Sequence, residues 1–234
     1  MTYSSKKLSN GHWQSGQAGS VYQVGAAVKS SMNKTMFSIV IQAGGASRRM
    51  GQDKALIPFL GQPLITRIIQ RVSGLADELL VNTNRPDAYA FLGLPTFPDV
   101  IPERGALGGV YTALAIAKHP LVAVVACDMP FVNPDLLVAQ RALLVDIGYD
   151  AVIPVTDHGA EPFHAVYRRE TCLPIVKAAL DAGNWRVNSW FENANLYFLP
   201  PEEARQHDPL QLAFRNVNTP ADLRAAERLA KDIG

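Results

Sequence analysis

The chemistry of this chain is concentrated in twelve residues, AGGASRRMGQDK, from Ala43 to Lys54. Three glycines (Gly44, Gly45, Gly51), three cations (Arg48, Arg49, Lys54) and Asp53 share the stretch. Glycine puts no Cβ between the backbone and a ligand, so successive N–H groups can face an anion closely. The cations add charge to the same place, and the combination points to phosphate binding. A plain strand-to-helix turn with solvated arginines is the alternative, and the density of glycines and cations argues against it. The spacing is neither that of a P-loop nor that of a dinucleotide-binding G-x-G-x-x-G loop.

Three further sets of polar residues stand at the ends of apolar runs. In VACDMPFV, Asp128 directly follows a buried stretch. A carboxylate so placed can hold Mg²⁺, which takes hard oxygen ligands, typically one or two carboxylates plus phosphates. It can also simply cap the following loop. Asn82 and Asn84 in VNTNRP, and Asp99 in FPDVIPERGALGG, are turn formers or readers of a nucleobase edge. Asp135 suits the first turn of a helix, where negative charge favours the dipole.

These residues lie far apart in sequence, so the elements between them must bring them together. FSIVIQ (37–42) reads as a strand buried on both faces, followed by a helix over 63–76 with Leu64, Ile68, Val72 and Leu75 on one side. ELLVNTN (78–84) is a strand, LPTFPD (94–99) a weaker one interrupted by Pro98, and 104–119 a small-residue helix able to approach a sheet closely. LVAVVACD (121–128) is the strongest central strand. The next helix, 133–146, has Asn133 as N-cap and Pro134 at its first position. Strands are expected at 150–155, 164–169 and 195–200, with a helix over 171–183 that must keep Pro174 in its first turn. A last helix over 218–230 opens with Thr219, Pro220 and Asp222, the pattern of a capped start. Strand–helix alternation with apolar strands implies α/β with a mostly parallel sheet. Ligands then bind beyond the carboxyl ends of the strands, which puts the loop, Asn82, Asp99 and Asp128 at one edge. Residues after about 150 read as an added region on the same sheet.

Composition bounds the rest. At 48% hydrophobic and 18% charged, the 234 residues can build a real core. A formal net charge of +1 argues against a nucleic-acid-coating surface. Cys127 and Cys172 are not spaced for a metal and suit a cytoplasmic protein without disulfides. No apolar run reaches the ~18 residues of a membrane helix. Residues 1–35, rich in Ser, Gly, Gln and Lys, read as a flexible extension, with Met32 and Met36 as alternative starts and 36–234 as a single domain.

AGGASRRMGQDK matches, at every fixed position, the A-G-G-x-S-x-R-M-G-x-D-K signature of the nucleotidyltransferases. With NTNR, PD, GALGGV, CDMPF, HAVYRR and NVNTPADL following in order, residues 37 to about 230 resemble the molybdenum cofactor guanylyltransferases. The resemblance implies a Rossmann-like three-layer α/β/α domain that uses Mg²⁺. Its reaction would be transfer of GMP from GTP to the phosphate of molybdenum-molybdopterin, releasing pyrophosphate. It places nucleotide contacts on Gln42, Ala43, Gly44, Gly45, Lys54, Asn82, Asp99 and Asp128, with Asp128 also on the metal. Catalysis would fall to Lys54, Arg48, Arg49 and Asp128. EPFHAVYRRE and NVNTPADL resemble the pterin side, which makes His164, Arg168, Asn216 and Asn218 candidates there, and Arg186 is a further cation that could meet a phosphate. Their own chemistry also allows solvated arginines, a hydrogen-bonded core histidine, and a turn with a helix cap. Trp185 and Trp190 suit core packing better than stacking on a pterin. This chain departs from the family's usual Leu before A-G-G by having Gln42.

The nucleophile in such a reaction is already anionic, so no protein base is needed. The task is to hold two anions together and neutralise the leaving pyrophosphate. Backbone N–H groups at Ala43 to Gly45, the cations and the metal suit that task. Rival readings are a molybdopterin cytidylyltransferase, a sugar- or polyol-phosphate nucleotidyltransferase, and a nucleotide-binding regulatory module without turnover. The expected setting is the cytoplasm, with transient contact to proteins that deliver or accept the cofactor and no nucleic-acid or membrane partner.

Overall fold

The computed structural model describes residues 35–44 and 53–233. All but Thr35 of the expected N-terminal extension therefore lies outside the described residues, as do Gly45, Arg48, Arg49 and Gly51 of the signature loop.

The first strand, β1 (Phe37–Gln42), is followed by a hairpin of β2 (Pro58–Phe59) and β3 (Gln62–Pro63), then α1 (Leu64–Val72) and β4 (Glu78–Asn82). Next come β5 (Thr96–Phe97), α2 (Gly105–Ile116), β6 (Leu121–Ala126) and α3 (Pro134–Ile147). The chain continues through β7 (Ala151–Thr156), β8 (Gly159–Ala160), β9 (His164–Arg168) and α4 (Arg169–Asp181). It finishes with β10 (Leu196–Leu199), α5 (Pro201–Ala204) and α6 (Pro220–Asp232).

The main sheet runs β10-β7-β9-β6-β1-β4-β5, with β8 paired to β7. β1 lies parallel between β4 and β6, while β9 is antiparallel to both β6 and β7. Alternation along β1 sends Phe37, Ile39 and Ile41 into one core and Val40 into the other. The first core takes Leu64, Ile68 and Val72 of α1, Leu136 and Leu144 of α3, and Ala226 of α6. The second takes Leu107, Val110 and Leu114 of α2 and Val176 and Leu180 of α4. Each fully buried Leu or Ile contributes about 1.5–3 kcal/mol. Helices thus cover both faces, and the three-layer α/β/α expectation and the mostly parallel sheet both hold, with the residues after 150 extending the same sheet.

Local expectations needed correction in three places. The third strand shrinks to Thr96–Phe97, because Pro95 and Pro98 on either side cannot donate to a ladder. α4 starts at Arg169, not 171, so Pro174 sits beyond the first turn. The cause is that β9 runs straight into the helix, with Arg169 N–H donating to Pro120 O at 2.8 Å. The β2–β3 hairpin was not anticipated; it turns through Leu60 and Gly61, both at positive φ (50° and 84°). No helix among the described residues is long and apolar enough to cross a membrane.

Candidate functional site

Register decides which residues meet. Gln42 pairs with Asn82 on one side and Ala126 on the other, and Asn82 pairs with Phe97. The carboxyl ends of β1, β4, β5 and β6 therefore stand side by side. Backbone bonds continue past the strand ends: Ala43 N–H donates to Asn82 O at 2.8 Å and Cys127 N–H to Gln42 O at 3.1 Å. Asp99 and Asp128 each follow two residues beyond a paired tip.

One half of this edge is built around a cation. Asp53 caps the single 3₁₀ turn Lys54–Leu56, its Oδ1 accepting from Ala55 N–H at 3.2 Å. Lys54 Nζ donates to Asn218 Oδ1 at 2.6 Å and stands 3.5 Å from Asp128 Oδ2. The lysine and aspartate side chains are 21% and 22% exposed, so a small molecule can reach both. Burial raises the Asp128 carboxyl pKa, and the Lys54 charge opposes the rise. Asn218 arrives because Val217 N–H donates to Asp128 O at 2.8 Å, and because α6 opens with a full capping box. Asp222 Oδ2 accepts from both Asn218 and Thr219 N–H, at 3.0 and 2.8 Å.

The other half is a cluster of amides around a carboxylate. Buried Asn82 donates through Nδ2 to Phe97 O and to Asp99 Oδ1, both at 3.1 Å. Its own Oδ1 is buried without a hydrogen-bond partner. Asn84 Nδ2 donates to Asp99 Oδ2 at 2.8 Å and Asn84 Oδ1 accepts from Asp99 N–H at 2.9 Å. A Cβ on Gly44 would stand 3.9 Å from Asp99 Oδ1, so the first glycine of the signature borders this cluster. Gln42 Nε2 donates to Gly109 O at 3.1 Å. Gly109 makes that approach possible, since a Cβ there would lie 2.8 Å from Gln42 Oε1.

The structure thus brings Gln42, Gly44, Lys54, Asn82, Asp99, Asp128 and Asn218 to one edge. Asn216 lies two residues before Asn218, with its Oδ1 buried and unpartnered. Other candidates are placed differently. Ala43 cannot offer its N–H to a phosphate, because that donor already extends the β1–β4 ladder. His164 is wholly buried: Nε2 accepts from Asn133 N–H at 3.1 Å and the ring meets Phe214 edge-on, so it is a core histidine. Burial lowers its pKa to about 4. Arg168 pairs with Leu121 at the start of β6, the opposite edge of the sheet. Its guanidinium donates to Leu144 O at 2.7 Å and Tyr149 O at 3.3 Å, which makes it a strut. The antiparallel run of β9 is what carries it away. Arg186 is exposed after α4, beside Trp185. Trp190 is buried as expected, but Trp185 is 50% exposed under the Arg104 guanidinium, 4.7 Å from the ring centroid.

Two contacts were not legible in the sequence, although Asn84 itself stood among the candidates. Asn84 locks Asp99. Tyr89, buried in the 3₁₀ turn Pro86–Leu92, donates to Asp53 Oδ2 at 2.7 Å. An Asn two residues past a strand tip is a weak signal for the first, and nothing local signals the second.

A lysine facing a carboxylate across the tips of parallel strands, with an amide cluster around a second carboxylate alongside, defines a nucleotidyltransferase-type α/β domain. The profile of the MobA-like NTP transferase domain matches residues 39–195, and the chain belongs to that family. A relative from Natronomonas pharaonis, named a probable molybdenum cofactor guanylyltransferase, is 38% identical over 82% of this chain and 97% of its own length. Another of that name, from Pelotomaculum thermopropionicum, is 34% identical over 82% of this chain and 93% of its own. Among solved structures, molybdopterin-guanine dinucleotide biosynthesis protein A of Archaeoglobus fulgidus superposes with a TM-score of 0.74 at 26% identity, covering 83% of this chain and 99% of that one.

Proposed function

We propose that this protein transfers GMP from MgGTP to the terminal phosphate of molybdenum-molybdopterin, forming the guanine dinucleotide cofactor. A phosphate oxygen of the pterin substrate attacks the α-phosphorus of GTP. The new P–O–P link forms as the α–β bridging bond breaks, and its electrons leave with pyrophosphate. The carrying observation is the meeting of Lys54, Asp128 and Asn218 beyond the strand ends. Lys54 there can neutralise charge on the transferring group.

The donor set fits a divalent cation. The fit is to a cation that needs one protein carboxylate: Asp128 supplies that oxygen beside Lys54, the Asn218 amide oxygen is taken by the lysine, and no group of three His, Cys, Asp or Glu side chains that could hold a metal occurs among the described residues. Phosphate and water oxygens would complete the shell, as Mg²⁺ prefers. Bound there, Mg²⁺ supplies charge neutralisation to the phosphates.

Guanine selection is supported by the direction of the amide donors. Asn82 and Asn84 spend their N–H groups on Asp99 and Phe97, which leaves the partly exposed Asp99 carboxylate as the acceptor at this edge, the unpartnered Asn82 Oδ1 being buried. Guanine offers N1–H and an N2 amino group to acceptors, whereas cytosine offers one amino group beside its own acceptors. The same reading puts the enzyme in the cytoplasm, in transient contact with proteins that deliver or accept the cofactor.

The test is incubation with Mg²⁺, molybdenum-charged molybdopterin and each of the four nucleoside triphosphates. The expected product is the guanine dinucleotide with one pyrophosphate per turnover. A cytosine dinucleotide, or no product, would overturn the reading.

A further inference from the structure

A backbone carbonyl and a carboxylate converge on one buried hydroxyl. Tyr89 is fully buried, its ring packed into the core on the α1 side of the sheet. Its hydroxyl lies 2.7 Å from Asp53 Oδ2 and 3.3 Å from Ala43 O. A phenol has one proton, so the short contact to the carboxylate takes it and the longer one is secondary. Burial first, and then the Asp53 charge, raise the phenol pKa and keep it a donor. Asp53 is held from other sides too: Oδ1 caps Ala55 N–H, and the Arg85 guanidinium stands 3.8 Å from Oδ2. The next residue is Lys54, whose amine meets Asn218 and Asp128.

Ring packing alone does not call for this hydroxyl. Phenylalanine would fill the same space, and a buried O–H is tolerated only because it has found a partner. The partner it has found is the carboxylate that sets the start of the Lys54 turn. Tyr89 comes from the crossover after β4, which begins at the strand tip Asn82 and carries Asn84. The hydroxyl therefore ties the amide half of the edge to the cation half.

We propose that Tyr89 is a positioning residue for Lys54: its hydroxyl fixes Asp53, and Asp53 fixes the backbone from which the lysine reaches substrate phosphates. Its kinetic consequence rests on the nucleotidyl-transfer reading above; its structural consequence does not. A displacement of about 1 Å in a positioned group can cost up to ~10²-fold in rate. The lysine stem is flexible and absorbs part of any shift, so about tenfold is expected. The loss should fall on kcat, with KM for GTP little changed, because the charge contact strengthens in the transition state.

The experiment compares Tyr89→Phe, Lys54→Ala and the double variant. Tyr89→Phe is expected to lower kcat about tenfold, and to cost nothing further once Lys54 is gone. A full multiplicative loss in the double variant, or an unchanged kcat in Tyr89→Phe, would overturn the proposal. A second readout needs no substrate. The rate at which an amine-reactive reagent labels Lys54, mapped by peptide mass spectrometry, should rise several-fold in Tyr89→Phe relative to the exposed Lys118 and Lys177. Asp53→Ala, which leaves the tyrosine ring in its core, should raise it likewise. An unchanged ratio in both variants would sink the positioning role. If the wild type makes no dinucleotide, the functional reading falls and the labelling result still decides this one.

Discussion

Asp99 is bound by two amides at its carboxylate and donates its backbone N–H to one of them, yet it remains partly open to the edge where Gly44 begins. Removing its carboxylate would free the N–H groups of Asn82 and Asn84 and turn an acceptor surface into a donor surface. A bidentate base contact is worth about 1–3 kcal/mol of discrimination in nucleic-acid readout. Asp99→Ala should weaken GTP use by roughly ten- to a hundredfold and narrow its advantage over CTP. Steady-state kinetics with both nucleotides check this; equal losses would reduce Asp99 to a loop former. Asp128→Asn keeps the shape of the side chain and removes its charge. It should keep the fold and lose the Mg²⁺-dependent turnover, read from a Mg²⁺ titration of the rate. Normal saturation with Mg²⁺ would take Asp128 out of the metal site. Some of this was readable beforehand: a carboxylate after an apolar run announces a strand tip. The partner of that carboxylate was not readable, because Lys54 lies 74 positions from Asp128 and 164 from Asn218, its other partner.

At the scale of elements, α6 matters through its first turn. The capping box holds Thr219 and Asp222 together and, through Asp222, the backbone of Asn218. Thr219→Ala should cost about 1 kcal/mol of stability, measured as a shift of the urea midpoint at constant slope. Turnover should drop as well, since Asn218 loses part of its anchor; an unchanged midpoint would show that the Asp222 half carries the cap alone. This cap was legible as N-T-P-A-D, because capping is local chemistry. The length of the β5 strand was also set locally, by prolines on both sides. The direction of β9 was not, since HAVYRR reads the same whichever way the strand runs. That direction removed Arg168 from the cleft edge and placed it at the opposite one.

At the scale of the molecule, folding stability carries a signature of the buried histidine. The folded-state pKa of His164 is about 4, against 6.5 for the free side chain. Between those values the unfolded chain binds a proton that the folded chain does not, so stability rises with pH across the window. The contribution is complete above about pH 6.5 and is lost progressively as pH falls toward 4, by up to ~3 kcal/mol. Thermal or urea midpoints of the wild type should decline through that range. His164→Gln, which can still accept from Asn133 N–H, should flatten the decline; an identical pH profile in the variant would assign it to other groups.

By itself the sequence determined whatever depends on neighbours along the chain. The signature loop, the alternation of strands and helices, the Asn133 and Thr219 caps and the placement of polar residues just past apolar runs all follow from periodicity and local hydrogen bonding. Tertiary structure decided which of those polar residues share a surface. Pairing of β1 with β4 and β6 aligned Gln42, Asn82 and the approach to Asp128, and used up the Ala43 N–H that an isolated loop would have left for phosphate. It also buried His164 and joined Tyr89 to Asp53. The physical reason is that a polar side chain's role is set by what desolvates it and what completes its hydrogen bonds, and in this chain those partners come from strands and crossovers that only the folded register brings within reach.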